Sequence, residues 1–299
     1  MRHFRLGPKG VLPLLMLAGL QALFGGALAA SAAPGDVIAD VNTPPGNGAA
    51  WALGIAKAVA FDGQYLYYAE YGGSILHRLN MPPPGASAPN SSYDVPIVGI
   101  PGGVMTFAYD KVRDGFWTVS SDGSGIYGLS KNGSAWKAFT VNQSALPGGC
   151  KTTPPCSPEV KIAYDRTDDT IWYSPDTTKR IYHLRTYGDI FDNAILIGYF
   201  DVDVAPNDMS MCPSGSYASG IAVGGSDLFI ENSACNYYFE YSKTGTLVAA
   251  IARGFASSGG LACDNLTYSV SVIWMRNGWN SHIYAIEQPR ANACIYGGG

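Results

Sequence analysis

Charge is sparse in this chain. Only 14% of its 299 residues are charged and only four are histidine. A disordered chain would carry more charge and fewer aromatics than the 12% present here. A helical bundle would be built on Ala, Glu, Lys and Leu, whereas Gly, Ser, Tyr, Val and Ile set the character of this sequence. The formal charge of −4 argues against nucleic acid as a partner. No Cys-x-x-Cys, Gly-x-Ser-x-Gly elbow, phosphate loop, His-Glu-x-x-His or haem-attachment motif occurs. The acidic stretch Asp201, Asp203, Asp208 lacks the glycine and terminal Glu of a calcium loop and reads as a solvated loop.

Long apolar runs are also missing, except at the N-terminus. Arg2, Arg5 and Lys9 precede a mostly apolar, uncharged run from Val11 to Phe24, and small residues follow through Ala33. Pro13, Gly19 and Gly25 interrupt the run, so it reads as a secretory signal cut between Ala29 and Ala33 rather than as an anchor. Residues 1–33 are therefore expected to be a signal peptide and 34–299 a single domain, secreted to an extracellular or periplasmic space. Without its three N-terminal basic residues the mature chain has 16 basic against 23 acidic residues, a charge of −7. No later segment is long and apolar enough to span a bilayer.

What the sequence does contain is a repeat. Five segments share an apolar strand ending near Ala-x-Asp, an aromatic strand, a polar turn and a strand reading apolar-Tyr-x-apolar. They are VAFDGQYLYYAEYGGSILHRL (59–79), FAYDKVRDGFWTVSSDGSGIYGL (107–129), IAYDRTDDTIWYSPDTTKRIYHL (162–184), IAVGGSDLFIENSACNYYFEY (221–241) and LACDNLTYSVSVIWMRNGWNSHIYAI (261–286). Ala60, Ala108, Ala163, Ala222 and Ala262 anchor them. A fourth strand-like run follows each of the first four, at Tyr93–Gly99, Trp136–Val141, Ile195–Asp201 and Leu247–Ala252. Four short strands per unit at this period predict an all-β fold, a single β-propeller of five four-stranded blades, with six as the alternative. The stretch 36–42 (DVIADVN) is expected to supply the outer strand of the last blade and close the ring, with Cys294–Tyr296 competing for that place.

In an exported chain, six cysteines predict three disulfides. Within a blade, the first-to-second and third-to-fourth turns share one face. The second-to-third turns and the inter-blade links share the other. Pairing Cys150 with Cys156, Cys212 with Cys235 and Cys263 with Cys294 puts both partners of each pair on a common face.

The runs LYYAEYGGSILHRL (66–79) and DGFWTVSSDGSGIYGLSKNGSAWKAFTV (114–141) resemble repeats of the NHL, YWTD and streptogramin-lyase-like propellers. The wider group includes the senescence-marker/gluconolactonase and strictosidine-synthase-like propellers. That resemblance covers Ala56 to Ile286 and implies a propeller that is a lactonase, a lyase, a receptor or a plain binding module. In the lactonase-like members a calcium-type ion is held three residues before each anchoring alanine. Lys57, Met105, Val160, Ser219 and Gly259 stand there and make a poor set for a hard cation, so no cofactor is expected, with a calcium-type divalent ion as the alternative should the chain be an enzyme. The lyase-like members use a His with a bound metal. His77, His183 and His282 all fall on third strands away from the axis and read as structural.

A ligand site is expected over the channel, on the face of the links and second-to-third turns. The candidates there are Glu70, Tyr71, Asp122, Asp176, Thr177, Glu231, Asn232, Asn277 and Trp279. Carboxylates, amides and aromatic rings around one mouth suit a small polar molecule or glycan, although the same residue types also favour turns for backbone reasons. Three functions follow: a secreted binding module for a polar ligand or another extracellular protein; a lactonase-, esterase- or lyase-like enzyme using Glu70, Asp122, Asp176 or Glu231; and a matrix component. Asn90, Asn132, Asn142 and Asn265 open N-x-Ser/Thr sequons, which matter only in a eukaryotic secretory pathway.

Overall fold

The computed structural model describes residues 33–43, 56–82, 87–89, 93–123, 125–149, 159–175, 178–204, 207–208, 212, 218–232, 235–255, 259–276 and 282–297. All of them lie in one compact unit, 32–299. Alternating apolar and polar residues punctuated by Gly and Asp turns give short antiparallel strands, four to a blade. Blade one comprises Ala56–Phe61, Tyr65–Glu70, Ile75–Asn80 and Tyr93–Pro96. Blade two is Val104–Asp110, Gly115–Ser120, Gly125–Ser130 and Ala135–Thr140. Blade three is Val160–Asp165, Thr170–Pro175, Arg180–Gly188 and Ala194–Asp201. Blade four is Gly220–Gly224, Asp227–Glu231, Tyr237–Ser242 and Leu247–Ala252. In blade five, Leu261–Asp264, Val272–Arg276 and His282–Glu287 are completed by the N-terminal strand Val37–Asn42.

The inner strands of neighbouring blades touch all the way around, including blade five against blade one, so the ring has five blades and not six. Closure comes from Val37–Asn42 pairing antiparallel with His282–Glu287, and Asp40 adds an ion pair to His282 at 2.6 Å. Cys294–Tyr296 forms no strand. One feature escaped the sequence reading: Ser87–Pro89 pairs in parallel with Val37–Asn42 and covers that edge.

The core is five separate layers, one between each pair of neighbouring blades. In every blade the anchoring alanine stands opposite an aromatic ring: Ala60 with Tyr67, Ala108 with Trp117, Ala163 with Trp172, Ala222 with Phe229 and Ala262 with Trp274. Strands crowd near the axis, where only a methyl group fits, and the wedge between blades widens outward, where a large ring fills it.

The Ala-x-Asp signature has its own role. Asp62, Asp110, Asp165 and Asp264 each accept backbone N–H groups of the following turn on Oδ1. Each takes a ring donor on Oδ2: the Tyr67 hydroxyl, or the indole N–H of Trp117, Trp172 and Trp274, at 3.0–3.2 Å. Two of these carboxylates also tie blades together, because Lys131 of blade two reaches Asp62 at 2.7 Å and Lys243 of blade four reaches Asp165 at 2.6 Å. Blade four departs from the pattern in both members, with Gly224 for Asp and Phe229, which has no donor, for Trp or Tyr. A Cβ on Gly224 would lie 2.8 Å from the Ala293 carbonyl oxygen and from Cys294 Cα. Blade four gives up the Asp buckle because the C-terminal segment packs there.

Candidate functional site at the channel mouth

The channel has two mouths, and they differ. On the face of the first-to-second turns, the C-terminal segment runs beneath four blades. Arg290 pairs with Glu240 and, at 3.0 Å, with Asp227. Cys294 is bonded to Cys263. The Tyr296 backbone N–H donates to Asn265 Oδ1 at 3.2 Å, and its ring lies 5.9 Å from Phe61 and 4.2 Å from Lys111 Nζ. Gly297 reaches the axis and helps line a narrow cavity of about 30 Å³, together with all five anchoring alanines. Such a space holds about one or two waters and no larger ligand.

The opposite face carries the links, the second-to-third turns and the Cys212–Cys235 disulfide. The third expected pair, Cys150 with Cys156, lies outside the described residues, as do Asp176, Thr177, Asn277 and Trp279. The candidates that are described have separate surroundings. Glu70 faces His77, whose Nε2 is 3.1 Å from the carboxylate, while His77 Nδ1 meets Asp94 at 2.7 Å. His77 also stacks on Tyr68 with ring centres 4.5 Å apart. Burial works against the imidazolium, but the two carboxylates outweigh it and raise the His77 pKa. Glu70 is affected by burial in the upward direction, yet its bond to His77 prevails and its pKa falls. Asp122 is exposed and accepts the Ser120 hydroxyl at 2.7 Å.

Tyr71 is half-buried and leans onto the layer between blades two and three. Its turn is held down by the exchange of backbone bonds between Gly72, Gly73 and Val104. Gly103, at φ +81, permits that approach, since a Cβ there would sit 2.2 Å from the Gly72 carbonyl oxygen.

Glu231 and Asn232 are fully buried. Glu231 accepts Arg253 Nη1 at 3.0 Å and the Gly259 N–H at 2.6 Å, while Arg253 Nη2 donates to the carbonyls of Asn232 and Cys235. Both arginines of this region, Arg253 and Arg276, have pKa values lowered by burial, Arg276 to about 10. Glu231 and Glu159 act against that lowering at Arg276, and Glu159 also helps burial to raise the Tyr71 pKa. Glu159, just before the first strand of blade three, lies 3.8 Å from Lys161 Nζ.

A layer of charge lies here, of which the sequence pointed to Glu231 but not to Lys161 or Arg276. Two pairs above the alanine–aromatic level, Lys161 stands opposite Ser174 and Gly220 opposite Glu231, and the ladder continues to place Gly260 beside Arg276. Blade one has Ala58 opposite Ala69 at this height. Lys161 and Glu231 are 0% exposed and Arg276 1%. The glycines make room for this layer: a Cβ on Gly220 would meet Glu231 Oε1 at 2.5 Å. The signal was a charged residue at the link-side end of each of three largely apolar strands, Lys161 in VKIAYD, Glu231 in DLFIE and Arg276 in VIWMR. Of the positions tested for a calcium-type ion, Met105 and Val160 belong to the layer between blades two and three, Ser219 and Gly259 donate their backbone N–H groups to Glu231, and the Lys57 side chain lies outside the described residues. Among the described residues, no group of three or more His, Cys, Asp or Glu side chains is arranged to hold a metal ion.

The sequence matches no protein-family model and no curated protein. Solved structures do match in shape. Glutaminyl cyclase from Myxococcus xanthus aligns with a TM-score of 0.52 at 11% identity, over 84% of this chain and 95% of the cyclase. A catalytically inactive virginiamycin B lyase from Staphylococcus aureus with quinupristin aligns with a TM-score of 0.43 at 13% identity, over 78% of this chain. The chain spans 66% of that lyase's length. A luciferin-regenerating enzyme aligns with a TM-score of 0.45 at 9% identity, over 81% and 95% of the two chains. At such identities a likeness carries the fold and none of the chemistry: this chain is a β-propeller, built of five blades.

Proposed function

We propose that this protein is an exported, disulfide-stabilised propeller that recognises a small polar ligand, such as a glycan, at the channel mouth on the Cys212–Cys235 face. The observation that carries this reading is the contrast between the two mouths. One is closed by the C-terminal segment, whereas the other gathers Tyr71, Glu159, Lys161, Glu231 and Arg276 over a rigid ring. Buried polar groups at the end of a channel favour a ligand that hydrogen-bonds, and Tyr71 adds a ring against which a sugar can stack. The two disulfides are the chemistry of an oxidising compartment, in keeping with export directed by residues 1–33.

The test is a glycan array followed by calorimetric titration of residues 34–299. A bound glycan is expected whose affinity falls at least tenfold in Tyr71→Ala and stays unchanged in Leu266→Ala, on the opposite face. Equal loss in both variants, or binding insensitive to Tyr71, would overturn the assignment of the face.

A further inference from the structure

We propose that the leader is cut between Ala32 and Ala33, and that the new α-ammonium of Ala33 pairs with Asp36 and fastens the strand that closes the ring. The inference rests on the reading that this protein is exported, and it narrows the expected cleavage window to one bond. In the sequence, Ala30-Ser31-Ala32 supplies the small residues that an A-x-A site needs before the cut. The compact unit begins beside that bond, at Ala32. Ala33–Pro34–Gly35–Asp36 is a type II turn: Pro34 stands second, Gly35 third with φ +93, and the Asp36 N–H donates to the Ala33 carbonyl at 2.8 Å. Gly35 is needed for a second reason, since a Cβ there would lie 2.0 Å from the Ala252 carbonyl oxygen. The Asp36 carboxylate turns back and accepts the Ala33 N–H on Oδ2 at 2.7 Å. The nitrogen that cleavage would free therefore already rests on a carboxylate.

Cutting the Ala32–Ala33 amide changes this contact in kind. With a signal peptidase as catalyst, water adds across the bond: its hydroxyl goes to the Ala32 carbonyl carbon and its hydrogen to the Ala33 nitrogen. The freed amine takes a proton from solvent below an ordinary pKa of about 8. A neutral amide hydrogen bond becomes a charge-assisted one between ammonium and carboxylate. The surroundings favour a cation. The Gly35 N–H donates to the Glu287 carbonyl at 3.0 Å and the Glu287 N–H to the Asp36 carbonyl at 2.9 Å, which carries the ladder of Val37–Asn42 one step further. Glu287 is 7% exposed, and its Oε2 is buried without a hydrogen-bond partner. Burial and, after it, the charge of Asp36 raise the Glu287 pKa. Among the described residues, no lysine, arginine or histidine pairs with Asp36 or Glu287. A cut before Ala30 would leave the Ala33 nitrogen a neutral amide and the two carboxylates without a cation.

The test expresses the full chain in a secreting host and sequences the exported product, which is expected to begin at Ala33. A product beginning at Ala30 or Ala32 would overturn the inference and leave export standing, whereas an uncut Met1 would overturn both. The Ala33 amine is then titrated by competitive acylation with acetic anhydride. Its pKa is expected at least half a unit above that of the free peptide Ala-Pro-Gly, and back at the peptide value in Asp36→Asn. Equal values in wild type and Asp36→Asn would sink the ion pair. Thermal unfolding needs no variant of the turn: at pH 6.5 the chain begun at Ala33 should melt about 2 °C above one begun at Ala30. An amine whose pKa rises on folding gives stability that is complete below about pH 8 and lost as pH rises through the folded value, so this difference should vanish by pH 10.5. A difference that is absent at pH 6.5, or that persists at pH 10.5, would count against the ammonium.

Discussion

Asp264 illustrates how much a single side chain contributes to each blade. It caps two backbone N–H groups and accepts the Trp274 indole, and all of this is buried. Asp264→Ala leaves those donors without their acceptor and is expected to cost about 3 kcal/mol in urea unfolding. Asp264→Asn, which keeps Oδ1, should lose less. His77 and His183 respond oppositely to pH. Free in the unfolded chain, both titrate near the ordinary value of about 6.5. The raised pKa of His77 gives stability that is complete below that value and is lost as pH rises through the folded pKa. His183, stacked on Trp172 at 3.9 Å, has its pKa lowered by burial, so its contribution is present at high pH and is lost as pH falls below about 6.5. Urea midpoints between pH 5 and 8 should therefore decline less toward alkaline pH in His77→Phe, and less toward acid pH in His183→Phe. The reverse assignment would refute the placement of the carboxylates around His77.

At the scale of elements, the C-terminal segment and the N-terminal strand do different work. The Cys263–Cys294 disulfide closes a separation of 31 residues and holds the segment that lies under the channel. Replacing both cysteines by Ala should lower stability by about 3 kcal/mol, measured by chemical unfolding against the wild type. Gly224→Asp, which would restore the buckle that the other four blades have, should destabilise instead of stabilising. The site is already taken by the backbone at 293 and 294. This exception was readable only in part. The sequence displays Gly224 where Asp recurs, but its cause is a segment some 70 residues downstream. The charged layer was hidden for a similar reason. Lys161, Glu231 and Arg276 belong to three blades and to both inner and second strands, so no local period joins them. They become neighbours through ladder register, and the bulge at Val104/Phe107 shows how easily counting along one strand loses that register. By contrast, the Ala-x-Asp signature was legible because its partners, the next turn and the next strand, lie within ten residues.

For the whole molecule, the decisive event is closure. Val41 is completely buried between its partner strands and blade one, and pairs with Ile283. Val41→Asp places a charge there and leaves His282–Glu287 as an open edge, so size-exclusion chromatography should show aggregates in place of the wild-type peak. Export is tested at the same scale. N-terminal sequencing of the processed protein is expected to begin between residues 30 and 34, whereas an intact Met1 would refute a cleaved signal.

The sequence by itself determined what short-range chemistry encodes: strand alternation, turn residues, the alanine–aromatic pairs, the Asp buckles, and with them a propeller of similar blades, whose number the closed ring then settled as five. It also indicated which end would close the ring, since 36–42 had no hairpin partner of its own. The tertiary structure alone decided which channel mouth is closed and which buried charges meet at the other. Those contacts join residues remote in sequence, and their energies depend on desolvation within a ring that exists only once all five blades have assembled.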